Sequence, residues 1–160
     1  MNIVSGDLFT QDTACIVNPW NMNFIPHWLL LPGGVSGQLK KKAGSAPFRE
    51  VSRHGLLWPG RAVLTGGGRL NKPIIHVAGL NALWRSSPAI VSRCTTAALN
   101  VADQQKFASV ALPLIGAGTG GLTPAKSLSA MTAAVQMSPY RGEVRIVLWS
   151  ESKEAYLCHR

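Results

Sequence analysis

The sequence predicts an α/β protein: a three-layer α/β/α sandwich around a mixed, largely parallel sheet. Two observations lead there. Runs such as Ala14-Cys15-Ile16-Val17 and Ile74-Ile75-His76-Val77-Ala78 are nearly continuous in apolar residues and lack the polar alternation of a half-exposed strand; strands of that kind have both faces covered. These runs alternate along the chain with segments of helical periodicity, so helices are available to cover them.

Ile3-Val4 begins a short strand that Ser5-Gly6-Asp7 ends, and Ala14 to Val17 form the second. A loop rich in Pro, Asn and Trp is expected from Asn18 to Gly34. Helical signals cover about Ser36 to Ala43 and Ala46 to His54. Ala62-Val63-Leu64-Thr65 and Ile74 to Ala78 read as strands split by the turn 66-GGGRLNKP-73. Ser87-Pro88 marks a helix start, a serine cap before a proline whose missing N–H costs nothing in the first turn. Behind it Ile90, Val91, Cys94, Ala97, Ala98, Val101 and Ala102 recur at helical spacing. Ser109 to Ile115 is another buried strand. Thr123-Pro124 starts a helix whose Leu128, Met131, Ala134 and Val135 share one side. Val144 to Trp149 is the last strand, and a short helix from about Ser152 is expected to close the chain. No repeat or linker interrupts the series, so residues 1–160 are expected to form one domain.

Composition narrows the function classes. A chain of 160 residues can bury a real core, and 46% hydrophobic against 14% charged residues excludes a disordered protein. No apolar run approaches the roughly 20 residues of a membrane helix, and the N-terminus lacks a secretory pattern. Cys15, Cys94 and Cys158 are too few and too scattered for a disulfide framework or a zinc site, which fits a reduced, cytoplasmic setting. Cys15 and Cys94 read as packing residues. The formal net charge of +9 favours anionic partners, nucleic acid or nucleotides, or serves solubility alone. No metal or cofactor is called for, no membrane association is expected, and the chain is expected to be monomeric.

Two glycine-rich stretches run into helices: 33-GGVSGQLKKKAG-44 and 115-IGAGTGGLTP-124. In open α/β folds, ligands bind beyond the carboxyl ends of the strands. Glycines there let main-chain amides and a helix N-terminus approach a phosphate. Neither stretch is a P-loop, since no Lys-Ser/Thr follows at the required spacing, and neither is a dinucleotide fingerprint. As a pair they suggest a clamp around a diphosphate; singly, each could be a tight strand-to-helix turn.

These residues carry a family likeness over nearly the whole chain. Gly6-Asp7-Leu8, Val17-Asn18-Pro19-Trp20-Asn21, Gly33-Gly34-Val35-Ser36-Gly37 with Ala43-Gly44, Pro59 to Thr65, Ile74 to Gly79, and Leu114 to Leu122 resemble, in order, the motifs of the macrodomains, which bind ADP-ribose. The resemblance implies a role for each. Asp7 would accept a hydrogen bond from the adenine amino group, or is a turn cap, and Leu8 would flank the adenine. Asn18 and Asn21 would belong to the distal-ribose side, Asn21 either binding that sugar or closing an Asx turn. Gly33, Gly34, Val35, Ser36 and Gly37 would wrap the diphosphate and distal ribose together with Ile115, Gly116, Ala117, Gly118, Thr119, Gly120, Gly121 and Leu122. Trp149 would stack on the adenine, or is a core tryptophan.

The chain also departs from the family pattern. One branch that hydrolyses ADP-ribose linkages resembles this chain at the first loop but carries an aspartate where Ser36 stands. A serine is no comparable base unaided, and Ser36 is expected to cap its helix. Another branch carries an aspartate at the place of Gly120 and a lysine nucleophile near Leu64; here Gly120 has no side chain and Thr65 is no lysine. His27 is the one histidine near the distal-ribose side and the remaining candidate base. Asn21, Ser36 and His27 are thus the candidate catalytic residues. Phe24, Ile25, Trp28 and Leu29 are expected to form an apolar lid. The expected function is binding of ADP-ribose, or of an ADP-ribosylated macromolecule, with hydrolysis at the distal ribose as one outcome. The alternatives are a non-catalytic reader and a basic nucleic-acid-binding protein.

Overall fold

The computed structural model describes residues 1–26 and 33–149. Their strands are β1 (Asn2–Ser5), β2 (Cys15–Trp20), β3 (Ala62–Thr65), β4 (Ile74–Ala78), β5 (Ser109–Pro113) and β6 (Glu143–Leu148). Their helices are α1 (Gly34–Ala43), α2 (Ala46–Ser52), α3 (Pro88–Gln104) and α4 (Pro124–Met137). The sheet order is β1-β6-β5-β2-β4-β3, and all pairings are parallel except the edge pair β3–β4.

Side chains leave the strands alternately to the two faces, and each face meets its own helices. Cys15, Val17, Ile75, Val77, Val110, Leu112 and Ile146 pack with Val91, Cys94, Ala98 and Leu99 of α3 and Met131 of α4. Ile16, Trp20, Ile74, Ala78 and Ala111 pack with Leu39 of α1 and with Phe48 and Val51 of α2. That is the three-layer sandwich. Cys15 and Cys94 are both fully buried, and burial pushes both thiols up to about 12.

The helix starts at 87 and 123 have their physical basis. Ser87 Oγ accepts from the Ile90 amide and Thr123 Oγ1 from the Lys126 amide, each with proline in the first turn. Three elements stop short of the expectation, α2 at Ser52, β5 at Pro113 and β6 at Leu148, and two other boundaries shift at the site. β2 runs on through Asn18 and Pro19 to Trp20, because parallel pairing with β4 holds Trp20 opposite Ala78. α1 begins at Gly34, two residues early, with Gly33 in the cap position. The short helix expected from Ser152 lies outside the described residues.

Candidate functional site

The two glycine stretches come together over the carboxyl ends of the parallel strands. The first is the N-terminus of α1, where Gly33 offers no side-chain cap, so the first-turn amides keep no intrahelical partner. The second links β5 to α4. No described residue accepts a hydrogen bond from the amides of Gly118, Thr119 or Gly120. Two adjoining cavities lie between these bends. The larger, about 350 Å³, is walled by Gly6, Leu8, Phe9, Gln38, Pro113, Ala117, Val147 and Trp149. The smaller, about 100 Å³, is walled by Pro19, Trp20, Gly33, Ser36, Gly79, Leu80, Gly116, Thr119 and Gly120. Gly34, Val35, Leu114 and Gly118 line both.

The second loop has a fixed shape. Gly116 has φ of +80°, and a Cβ there would lie 2.7 Å from Ser86 Oγ. A Cβ on Gly120 would lie 2.7 Å from both the Gly116 carbonyl oxygen and Ser86 Cβ. Ser86 packs from below and leaves no room for any side chain at 120, so an aspartate there is excluded on steric grounds. At Gly118, by contrast, an added Cβ meets nothing within 4 Å.

Ser36 is not the cap of α1. It is the third residue of the helix, in its first turn, and its Oγ lies 2.9 Å from both Asn18 Oδ1 and the Pro19 carbonyl oxygen. Both neighbours are acceptors, so the hydroxyl acts as a donor turned toward β2 rather than as a base facing the cavity. Behind it runs a buried polar chain. Asn18 Nδ2 is 3.1 Å from His76 Nδ1, and His76 Nε2 is 2.9 Å from Thr65 Oγ1, which donates to the Gly66 carbonyl at 3.0 Å. With Asn18 donating, His76 Nδ1 accepts and the ring proton sits on Nε2, directed at Thr65. Trp20 and Phe48 pack edge-on around the ring at 6.4 and 6.0 Å. Burial lowers the His76 pKa to about 3, with a smaller contribution from His54, so the ring is neutral. The polar chain was missed from sequence; its one signal is a histidine inside the otherwise apolar run 74–78.

Asp7 caps the 3-10 turn Leu8–Thr10 through a 2.8 Å bond from the Phe9 amide, and Lys42 Nζ stands 3.3 Å from its other oxygen. Its neighbours Gly6 and Leu8 line the larger cavity. Asn21 is buried, and its Oδ1 accepts from the Asn23 amide at 2.6 Å, an Asx turn. Asn18, Asn21, Gly37, Ile115, Gly121 and Leu122 do not form part of either cavity wall. Ile115 is turned into the core, and Leu122 packs against it. Trp149 is 60% exposed at the mouth of the larger cavity, so it is no core tryptophan. Phe24 lies across Trp84, ring centres 6.0 Å apart, and lines neither cavity. His27, Trp28 and Leu29 fall outside the described residues. Among the described residues, no carboxylate lines a cavity, no three His, Cys, Asp or Glu side chains could hold a metal, and no helix is long and apolar enough to cross a membrane.

Comparison with known proteins agrees with this geometry. A family model described as Macro domain matches residues 17–131. An uncharacterized protein of Aeropyrum pernix is 34% identical over 94% of this chain and 78% of its own length. An O-acetyl-ADP-ribose deacetylase of Cronobacter turicensis is 30% identical over 88% of this chain and 80% of its own. The solved structure of an Oceanobacillus iheyensis macrodomain mutant with ADPR is 26% identical, with a TM-score of 0.79, and covers 93% of this chain and 84% of its own.

Proposed function

The chain belongs to the macro domain family, and from that premise we propose that it binds ADP-ribose or a derivative, laid across both cavities. The observation that carries the reading is that two amide-rich bends share the walls of adjoining cavities at Gly34, Val35, Leu114 and Gly118. The apolar larger cavity suits adenine between Leu8, Phe9, Val147 and Trp149, with Asp7 adjoining cavity-lining Gly6 and Leu8 but itself lining neither cavity. The unpaired amides suit the diphosphate, and the smaller cavity suits the distal ribose. Titration calorimetry with ADP-ribose is expected to give one site per chain; absence of heat in that titration at millimolar ligand would end the reading. Trp149→Ala should weaken binding about 5- to 10-fold, the worth of one stacked ring. It should leave the unfolding midpoint in place, because the ring is 60% exposed.

Hydrolysis at the distal ribose is the second reading, supported by the O-acetyl-ADP-ribose deacetylase relative. Ser36 is committed to Asn18 and Pro19, and Gly120 has no space for a carboxylate. Water attack would therefore rest on how the bound substrate is positioned. Turnover of O-acetyl-ADP-ribose is expected to be about 100- to 10,000-fold below that of a carboxylate-assisted enzyme, the usual worth of a general base. Steady-state product formation checks this, and rapid turnover would contradict it.

A further inference from the structure

Outside the smaller cavity, the wall on the β3 side is cationic and aromatic. From Arg53 to Ala102 the sequence holds six Lys or Arg and no Asp or Glu. Two of the six are engaged at the far end of the sheet: Arg69 donates to the Lys41 carbonyl and Lys72 to the Gln11 carbonyl. The other four, Arg53, Arg61, Arg85 and Arg93, are exposed, and among the described residues none pairs with a carboxylate.

The fold gathers Arg61, Arg85 and Arg93 at the cavity's edge, while Arg53 caps the C-terminus of α2. The Leu57 amide bonds to the Met22 carbonyl, which brings the 57–61 segment against the chain leaving Trp20. The Gly60 amide bonds to the Ala78 carbonyl, next to cavity-lining Gly79, and the stem of Arg93 lies along Gly60. Arg85 sits in the loop between Leu80, on the cavity wall, and Ser86, under the second glycine bend. Trp58, in the middle of this rim, is 63% exposed.

We infer that this rim is a single-stranded nucleic-acid surface, so that the ADP-ribose taken by the site is one carried on a nucleic acid. Guanidinium groups match phosphates bidentately, and an exposed indole offers a face on which a base stacks. An acidic peptide would use the charges but leave Trp58 without a role. The link to the site rests on the ADP-ribose reading above; the rim itself does not.

The test uses fluorescence anisotropy with three probes: free labelled ADP-ribose, a single strand of about 12 nucleotides, and the same strand ending in ADP-ribose. An ADP-ribosylated acidic peptide serves as comparison. The modified strand is expected to bind at least about tenfold tighter than free ADP-ribose at low salt, with a salt slope of about −2 for three arginines. Arg61→Glu with Arg93→Glu should erase that advantage and leave free ADP-ribose affinity intact, which also reports the fold. Trp58→Ala should lower strand affinity at least about fivefold, as loss of one stacked base does. Lys106→Glu, in the turn after α3 at the far end of the sheet, should change neither.

Equal binding of modified strand and free ADP-ribose would overturn the inference. So would an equal gain for the peptide, or an unchanged advantage in the double variant. If free ADP-ribose fails to bind while the plain strand still binds through Arg61 and Arg93, the site reading falls and the rim stands.

Discussion

Gly118→Glu is expected to abolish ADP-ribose binding while the protein folds and unfolds as before. An added Cβ at 118 meets nothing within 4 Å, and Gly118 is not among the glycines with positive φ, so the backbone tolerates a side chain. The new carboxylate would stand on the wall shared by both cavities. At about 5 Å from a phosphate and an effective dielectric near 20, like charges repel by about 3 kcal/mol, which alone weakens binding at least about 100-fold. The bulk of the side chain adds to that. Calorimetry and a thermal unfolding curve on the same sample check both halves, and unchanged affinity would remove the diphosphate from this loop. Gly120 would be the wrong place for the experiment, because any side chain there collides with Ser86 and the Gly116 carbonyl.

His76 is expected to make the protein lose stability as pH falls from about 6.5 toward 5. Its folded pKa of about 3 lies below the ordinary 6.5. In that window the unfolded chain binds a proton that the native ring refuses, so stability is full above pH 6.5 and declines below it. The slope approaches about 1.4 kcal/mol per pH unit. The cause is burial: the ring is fully enclosed and both its nitrogens are already bonded, to Asn18 and Thr65. Urea unfolding at pH 7, 6 and about 5 reads the slope, and His76→Gln should flatten it. The window stays above the range in which Glu143, held low by Arg145, gains its proton. A flat profile in the parent protein would show that the ring is charged or accessible.

Much of this protein could be read from residue order. The apolar runs at 14–17, 74–78 and 109–113 specify buried strands by composition alone, while the expected extension of the last to Ile115 is loop. Ser87-Pro88 and Thr123-Pro124 specify helix starts, because a hydroxyl cap and a prepositioned proline act within a single turn of chain. The pairing of the two glycine stretches and the likeness to macrodomains came from the same local patterns. What escaped was set by neighbours remote in sequence. Pairing with β4 extends β2 through Asn18 to Trp20. Asn18 and Pro19 then draw the Ser36 hydroxyl inward, away from the role of a cap.

The same division holds at the site. That two amide-rich bends exist is written in the glycines, whose missing side chains are a property of the residue. That the bends meet, that Gly120 has no space and Gly118 has plenty, and that His76 is held neutral are matters of which atoms crowd which. Local sequence determines what a backbone can do. Only packing decides what stands 3 Å away, and hydrogen bonding and burial depend on distances of that size.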